Sequence, residues 1–200
     1  MQDSVIRTAF GLTCNMERAH TPGGFQPALI HPPSGEELFG EARIVGFAAF
    51  MRMHSSAKLM LLGGQEPGKS FHESHAIREV LVAEYGIEAS RIVACISGYG
   101  TAEAVDYIVC TACEGDVVIS SCYHLRRIQK LLELQKACTP CLSAEEFYLA
   151  ELGEARMNAR AQALVRMLGG GPYVQRTVAE LMGTARLMAG MYAPQGEGVH

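Results

Sequence analysis

The segment Tyr123-His124-Leu125-Arg126-Arg127 places an imidazole and two guanidinium groups within about one turn of a predicted helix. A histidine at a helix start feels the positive end of the helix dipole, which favours the neutral, acid/base-capable ring. Arginines are disfavoured in a first turn unless an anion meets them, so Arg126 or Arg127 is suited to clamp a phosphate or carboxylate. The plainer reading of the same residues is a capping histidine beside solvated arginines. His124 is the candidate general acid/base, and Arg127 the candidate anion clamp.

Four segments share the composition that a polar ligand needs. They are Gly11-Leu12-Thr13-Cys14-Asn15, Gly63-Gly64-Gln65, Ser97-Gly98-Tyr99-Gly100-Thr101 and Ser120-Ser121-Cys122-Tyr123-His124. Each follows a predicted strand, where small residues let a ligand approach the backbone and helix starts offer N–H groups to anions. Loops between strands and helices prefer turn residues anyway, so a single segment says little and four together say more. Candidate ligand contacts are Gly11, Asn15, Gly63, Gly64, Gln65, Thr101, Ser120, Ser121 and Tyr123. Glu73 or Glu103 is the candidate to orient His124 or to activate water, and Arg43 is a second cation for the anion.

Two other patterns compete. Gly63-Gly64-Gln65-Glu66-Pro67-Gly68-Lys69-Ser70 fits the phosphate-cradling form G-x-x-x-x-G-K-S, with Lys69 for phosphates and Ser70 for magnesium. No later strand ends in the aspartate that would complete the magnesium site. Cys110-x-x-Cys113 and Cys138-x-x-Cys141 form two CxxC units, a zinc pattern when the knuckles are adjacent. A gap of 24 residues separates them here, so buried, inert thiols are expected and no metal site is assigned. His72 and His75 lie three apart beside Glu73 and read as a solvated helix start. His20 and His31 lie in a long loop and carry no assignment. Met182, Met188 and Met191 have helical spacing and suit a core or a partner surface.

The elements that must position these groups alternate. Strands are predicted over Ser4 to Leu12, Lys58 to Leu62, Arg91 to Ile96 and Val117 to Ser120, with a short fifth near Cys138 to Leu142. Helices are predicted over Glu36 to His54, Phe71 to Tyr85, Thr101 to Cys113 and Tyr123 to Ala137, with Thr101 as a cap. The first helix presents Leu38, Ala42, Val45, Ala49 and Met53 on one face. Residues 15–35 read as a loop without elements. Two further helices, Ala144 to Leu168 and Tyr173 to Met191, flank Gly169-Gly170-Gly171-Pro172. This order predicts an α/β, Rossmann-like three-layer sandwich with a mostly parallel sheet of four to five strands and two C-terminal helices. Residues 1–142 form the Rossmann-like domain, and residues 143–200 a helical extension packed on it.

Composition narrows the partners. The 200 residues carry 17 basic and 21 acidic side chains, a net charge of −4. That supplies no basic field for a nucleic acid. The most apolar stretch, Ile44 to Met51, is too short to span a membrane. The N-terminal residues lack the pattern of an export signal, and seven cysteines without one suit reduced thiols in the cytoplasm. The Leu, Met and Tyr faces of the last two helices fit a homodimer. No dinucleotide fingerprint G-x-G-x-x-G is present, which disfavours nicotinamide redox chemistry.

Over roughly Val5 to Ala137 the sequence resembles the YdcF, SanA and ElyC family, the domain of unknown function numbered 218. Gly63-Gly64 and Glu73 match the family's Gly-Gly and later Glu. Thr101-Ala102-Glu103-Ala104 matches its Thr-x-Glu-Asn, with Ala104 for Asn. Ser120-Ser121-Cys122-Tyr123-His124-Leu125-Arg126-Arg127 matches its Thr-Ser-x-Tyr-His-Met-x-Arg, and Arg43 matches an arginine of the first long helix. The first loop reads Gly11-Leu12-Thr13 where the family has Gly-Gly. The resemblance implies a Rossmann-like fold and a nucleotide-type or phosphorylated small-molecule ligand. Hydrolysis or group transfer is the expected chemistry, with S-adenosylmethionine or a nucleotide as candidate cofactors. A ligand-binding regulator without catalysis and a P-loop ATP binder are the alternatives.

Overall fold

The computed structural model describes residues 6–27, 36–65, 68–95 and 100–152. In chain order the elements are β1 (Thr8–Leu12), β2 (Met16–Arg18), β3 (Phe25–Pro27), α1 (Glu36–Met53), β4 (Lys58–Leu62), α2 (Glu73–Ala83), β5 (Ile92–Cys95), α3 (Thr101–Thr111), β6 (Val117–Ser120), α4 (Cys122–Leu134), β7 (Cys141–Ser143) and α5 (Ala144–Leu152). Five strands form one sheet in the order β5-β4-β1-β6-β7, with every pairing parallel. The fold is α/β and Rossmann-like, as the alternation of strands and helices predicts.

Strand alternation divides the core into two layers. Ala9, Leu59, Leu61, Val117 and Ile119 point to one face, where α1 and α2 supply Ile44, Phe47, Ala76, Ile77, Val80 and Leu81. Phe10, Leu12, Leu62 and Val118 point to the other, against Val105 and Ile108 of α3 and Ile128, Leu131 and Leu132 of α4. Burial on both faces is why these strands read as continuous apolar runs. Asp116 pins the amino end of β1. Its Oδ1 accepts from the Thr8 N–H at 3.0 Å and its Oδ2 from the Cys113 N–H at 2.9 Å.

Several details differ from the sequence expectation. The stretch read as a bare loop contains the antiparallel pair β2–β3, with Met16 opposite Pro27. The single apolar face expected of α1 is buried at Ala42 and Ala49 but does not account for the rest of its burial. Met53 is 59% exposed, whereas Ile44, Phe47, Ala48, Phe50 and Met51 are all buried. The reason is that α1 lies between the sheet and α5, so both of its sides are covered. The Phe50 and Phe147 rings meet edge-on at 5.3 Å, and Arg52 pairs with Glu151. Gly46 permits this approach, since a Cβ there would lie 2.2 Å from the Ala144 carbonyl oxygen.

The predicted cap Thr101 is the first helical residue instead. Gly100 caps α3, and its N–H donates to Glu103 Oε2 at 2.6 Å. Cys110, Cys113 and Cys138, expected to be buried, are exposed, because Cys110 lies in the last turn of α3 and Cys113 and Cys138 in the segments that follow α3 and α4. Among the described residues no group of three or more His, Cys, Asp or Glu side chains is placed to hold a metal. No described helix is long and apolar enough to cross a membrane. Most of the predicted C-terminal helices, and with them Met182, Met188, Met191 and the expected dimer face, lie outside the described residues. So do His31 and Ser97-Gly98-Tyr99.

Candidate functional site

Neighbouring strands β1 and β6 send the chain to opposite faces. The chain leaves β1 for α1 on one side and β6 for α4 on the other. At such a reversal the following segments diverge and open a crevice at the carboxyl ends of the strands. Arg43, Ser121 and Tyr123 are joined there.

Arg43 of α1 bridges that crevice from below. It is 3% exposed, and its Nε and Nη2 donate to Ser121 Oγ at 2.9 and 2.8 Å. Nη2 also donates to Tyr123 Oη at 3.2 Å, and Nη1 donates to the carbonyls of Leu12 and Thr13. The planar fork thus ties the loop after β1 to the loop after β6, and it draws Arg43, Ser121 and Tyr123 into one cluster.

A second cluster lies between α3 and α4. His124 is 9% exposed, and Ser120 is fully buried. Ser120 Oγ sits 3.0 Å from His124 Nδ1, and Thr101 Oγ1 sits 3.1 Å from Nε2. Arg127 Nη2 lies 2.6 Å from Thr101 Oγ1 and 3.1 Å from His124 Nε2. A guanidinium only donates, so Nε2 must present its lone pair and the ring proton belongs on Nδ1, facing Ser120. The group at Nδ1 is therefore a serine hydroxyl, in the place where Glu73 or Glu103 was expected to orient the ring. The Thr101 hydroxyl accepts from Arg127, and the Thr101 O–H and the Arg127 N–H share the single lone pair of Nε2 as alternative donors.

The two expected carboxylates stand elsewhere. Glu103 holds the Gly100 N–H at the start of α3. Glu73 opens α2, where its Oε2 accepts from Thr13 Oγ1 at 3.1 Å and its Oε1 lies 4.0 Å from Lys69 Nζ. Lys69 Nζ donates to Asn15 Oδ1 and, at 2.6 Å, to the Met16 carbonyl. Asn15, Lys69, Thr13 and Glu73 thus make a third cluster beside β1 and β4. Cys14 joins it, with its thiol pushed up to about 12 by burial, reinforced by Glu73 and opposed by Arg43 and Lys69. That thiol is a neutral donor, 3.7 Å from the Gly40 carbonyl.

The glycines serve packing. Gly11 lies inside β1, where a Cβ would press on the Phe47 ring at 3.0 Å. A Cβ on Gly63 would overlap Thr13 Oγ1. The Gly64 carbonyl accepts from the Glu73 N–H at 2.9 Å, and Gln65 donates to the Lys69 carbonyl. In a phosphate-cradling loop the Gly-Lys-Ser run opens the helix. Here α2 begins at Glu73, with His72 as its cap, and Lys69 turns toward the β1–β2 segment.

One residue has no counterpart in the sequence reading. Glu145, 2% exposed, projects from the start of α5 and accepts from the Cys122 N–H at 2.9 Å and from Ser143 Oγ at 2.8 Å. It brings an internal carboxylate to the first turn of α4, where the helix dipole favours negative charge. Its only sequence signal is an acidic residue in a helical first turn, which is ordinary for a solvated position. The chain matches no family model, no curated protein and no solved structure.

Proposed function

We propose that this is a YdcF-like protein that binds a nucleotide-type or phosphorylated small molecule near the N-termini of α3 and α4, with His124 as its general acid/base. The observation that carries the reading is the contact set of His124. Its Nε2 lies 3.1 Å from both Thr101 Oγ1 and Arg127 Nη2, with Nδ1 held by Ser120. A neutral imidazole with an oriented ring, a cation at its side and two helix starts nearby are the parts of a site that binds an anion and moves a proton. Hydrolysis or group transfer uses those parts. Arg43 acts from beneath, by holding the loops in register.

A ligand-binding regulator is the second reading, and Glu145 favours it. A carboxylate already at the start of α4 leaves less of that helix end for an external anion, so binding would rest on α3 and Arg127. The test is a thermal-shift screen against nucleotides, sugar phosphates and S-adenosylmethionine. In the proposed reading a ligand stabilises the wild type and Arg127→Ala abolishes the shift. His124→Ala keeps the shift and loses turnover of that ligand. A shift with no turnover in the wild type points to the regulator, turnover that survives His124→Ala removes the acid/base role from His124, and stabilisation undiminished in Arg127→Ala overturns the placement.

A further inference from the structure

We infer that Thr101 is the covalent acceptor of this site, a hydroxyl that takes the phosphoryl group from a phosphomonoester. The inference rests on the anion-site reading above and deepens it. Three observations converge on the Thr101 oxygen. It is partly exposed at the first residue of α3, so a substrate can reach it. It lies 3.1 Å from His124 Nε2, the ring nitrogen that carries a lone pair. Arg127 Nη2 donates to it at 2.6 Å, which favours developing negative charge on the oxygen.

A nucleophile within hydrogen-bond reach of a base, and a base oriented by a third group, is the arrangement that activates a hydroxyl. Ser120 is that third group, 3.0 Å from Nδ1. The nearby Glu103 carboxylate is engaged with the Gly100 N–H. Arg127 also places a positive charge beside Nε2, where a phosphate dianion would meet it.

The step balances without any further reactant. Thr101 Oγ1 attacks phosphorus, forming an O–P bond as the bond from phosphorus to the leaving oxygen breaks. The hydroxyl proton passes to Nε2 and stays there, while the leaving oxygen, in line on the far side of phosphorus, takes a proton from solvent and departs as the alcohol. Water then attacks the phosphothreonine in line and loses its proton to solvent, while Nε2 still holds the proton taken from Thr101. That proton returns to Thr101 Oγ1, and inorganic phosphate is released.

The probe is p-nitrophenyl phosphate with the full chain, followed by rapid acid quench, intact-mass measurement and peptide mapping. The expected result is a burst of p-nitrophenolate equal to the protein concentration and a phosphoryl mass gain mapped to Thr101. Thr101→Ser keeps both, and Thr101→Ala, checked for folding by its thermal midpoint, loses both. His124→Ala slows the burst at least tenfold. Equal phenolate release by wild type and Thr101→Ala, or loss in Thr101→Ala with no burst and no adduct in the wild type, overturns the acceptor role while leaving the site. No release and no thermal shift with inorganic phosphate in the wild type overturns the site and the acceptor together.

Discussion

Removing the Arg43 side chain would strip donors from the Leu12 and Thr13 carbonyls, Ser121 Oγ and Tyr123 Oη at a position that is 3% exposed. Buried acceptors left unmade cost about 1–3 kcal/mol each, though not additively. Arg43→Ala is expected to lose about 3 kcal/mol or more in urea denaturation, and Arg43→Lys to recover only part, because an ammonium lacks the planar fork. Glu145→Ala should cost about 1–3 kcal/mol by the same measurement, since the Cys122 N–H and Ser143 Oγ lose their acceptor. Glu145→Gln keeps an acceptor oxygen and should cost less. Arg43 was marked in the sequence by the family resemblance, as a cation for the anion, and His124 as an imidazole at a helix start. The partners of Arg43 were not legible, because Ser121 is 78 positions away. Nor does a sequence separate Glu145, turned inward, from its exposed neighbour Glu146.

Helix α1 shows how an element can be found and still be misread. Its existence follows from eighteen residues without a proline, but a face drawn by periodicity assumes that one side meets solvent. Packing between the sheet and α5 removes that assumption. Gly46→Ala is the test, for its Cβ would meet backbone atoms of Ala144 that have nowhere to yield. The α1–α5 contact should open, with a loss of about 1–3 kcal/mol read from the thermal midpoint. The strands of the main sheet were legible because both-face burial makes them continuously apolar. The β2–β3 pair was not, since three-residue strands such as Met16-Glu17-Arg18 hold too few positions to show an alternation. The Gly-Lys-Ser run was legible as a motif. Its departure from a phosphate cradle depends on where α2 starts, which the sequence leaves to tertiary contacts.

At the scale of the molecule, Cys14, Cys141 and Tyr85, partly buried among the described residues, are held in their neutral forms. Burial pushes Cys14 up to about 12 and Cys141 up to about 11, each from 9.0, and Tyr85 up to about 12 from 10.0. Above the unfolded values the unfolded chain releases these protons while the folded protein keeps them, so the folded protein binds more protons and stability falls as pH rises. The stabilisation from the two thiols is complete below about pH 9 and is lost progressively toward pH 11–12. A thermal midpoint followed upward from pH 8 should begin its decline near pH 9. Alkylation near neutral pH should label Cys110, Cys113 and Cys138 first, as these are exposed, and Cys14 much later. The sheet order carries a different consequence, for the way the chain is made. β1 occupies the centre, yet Phe10 pairs with Met60 on one side and Val118 on the other. A ribosome releases β1 long before β6 exists, so the growing chain carries the middle strand with one edge open until more than half of it has been synthesised. A chain cut short before Val117 would leave that edge bare for good.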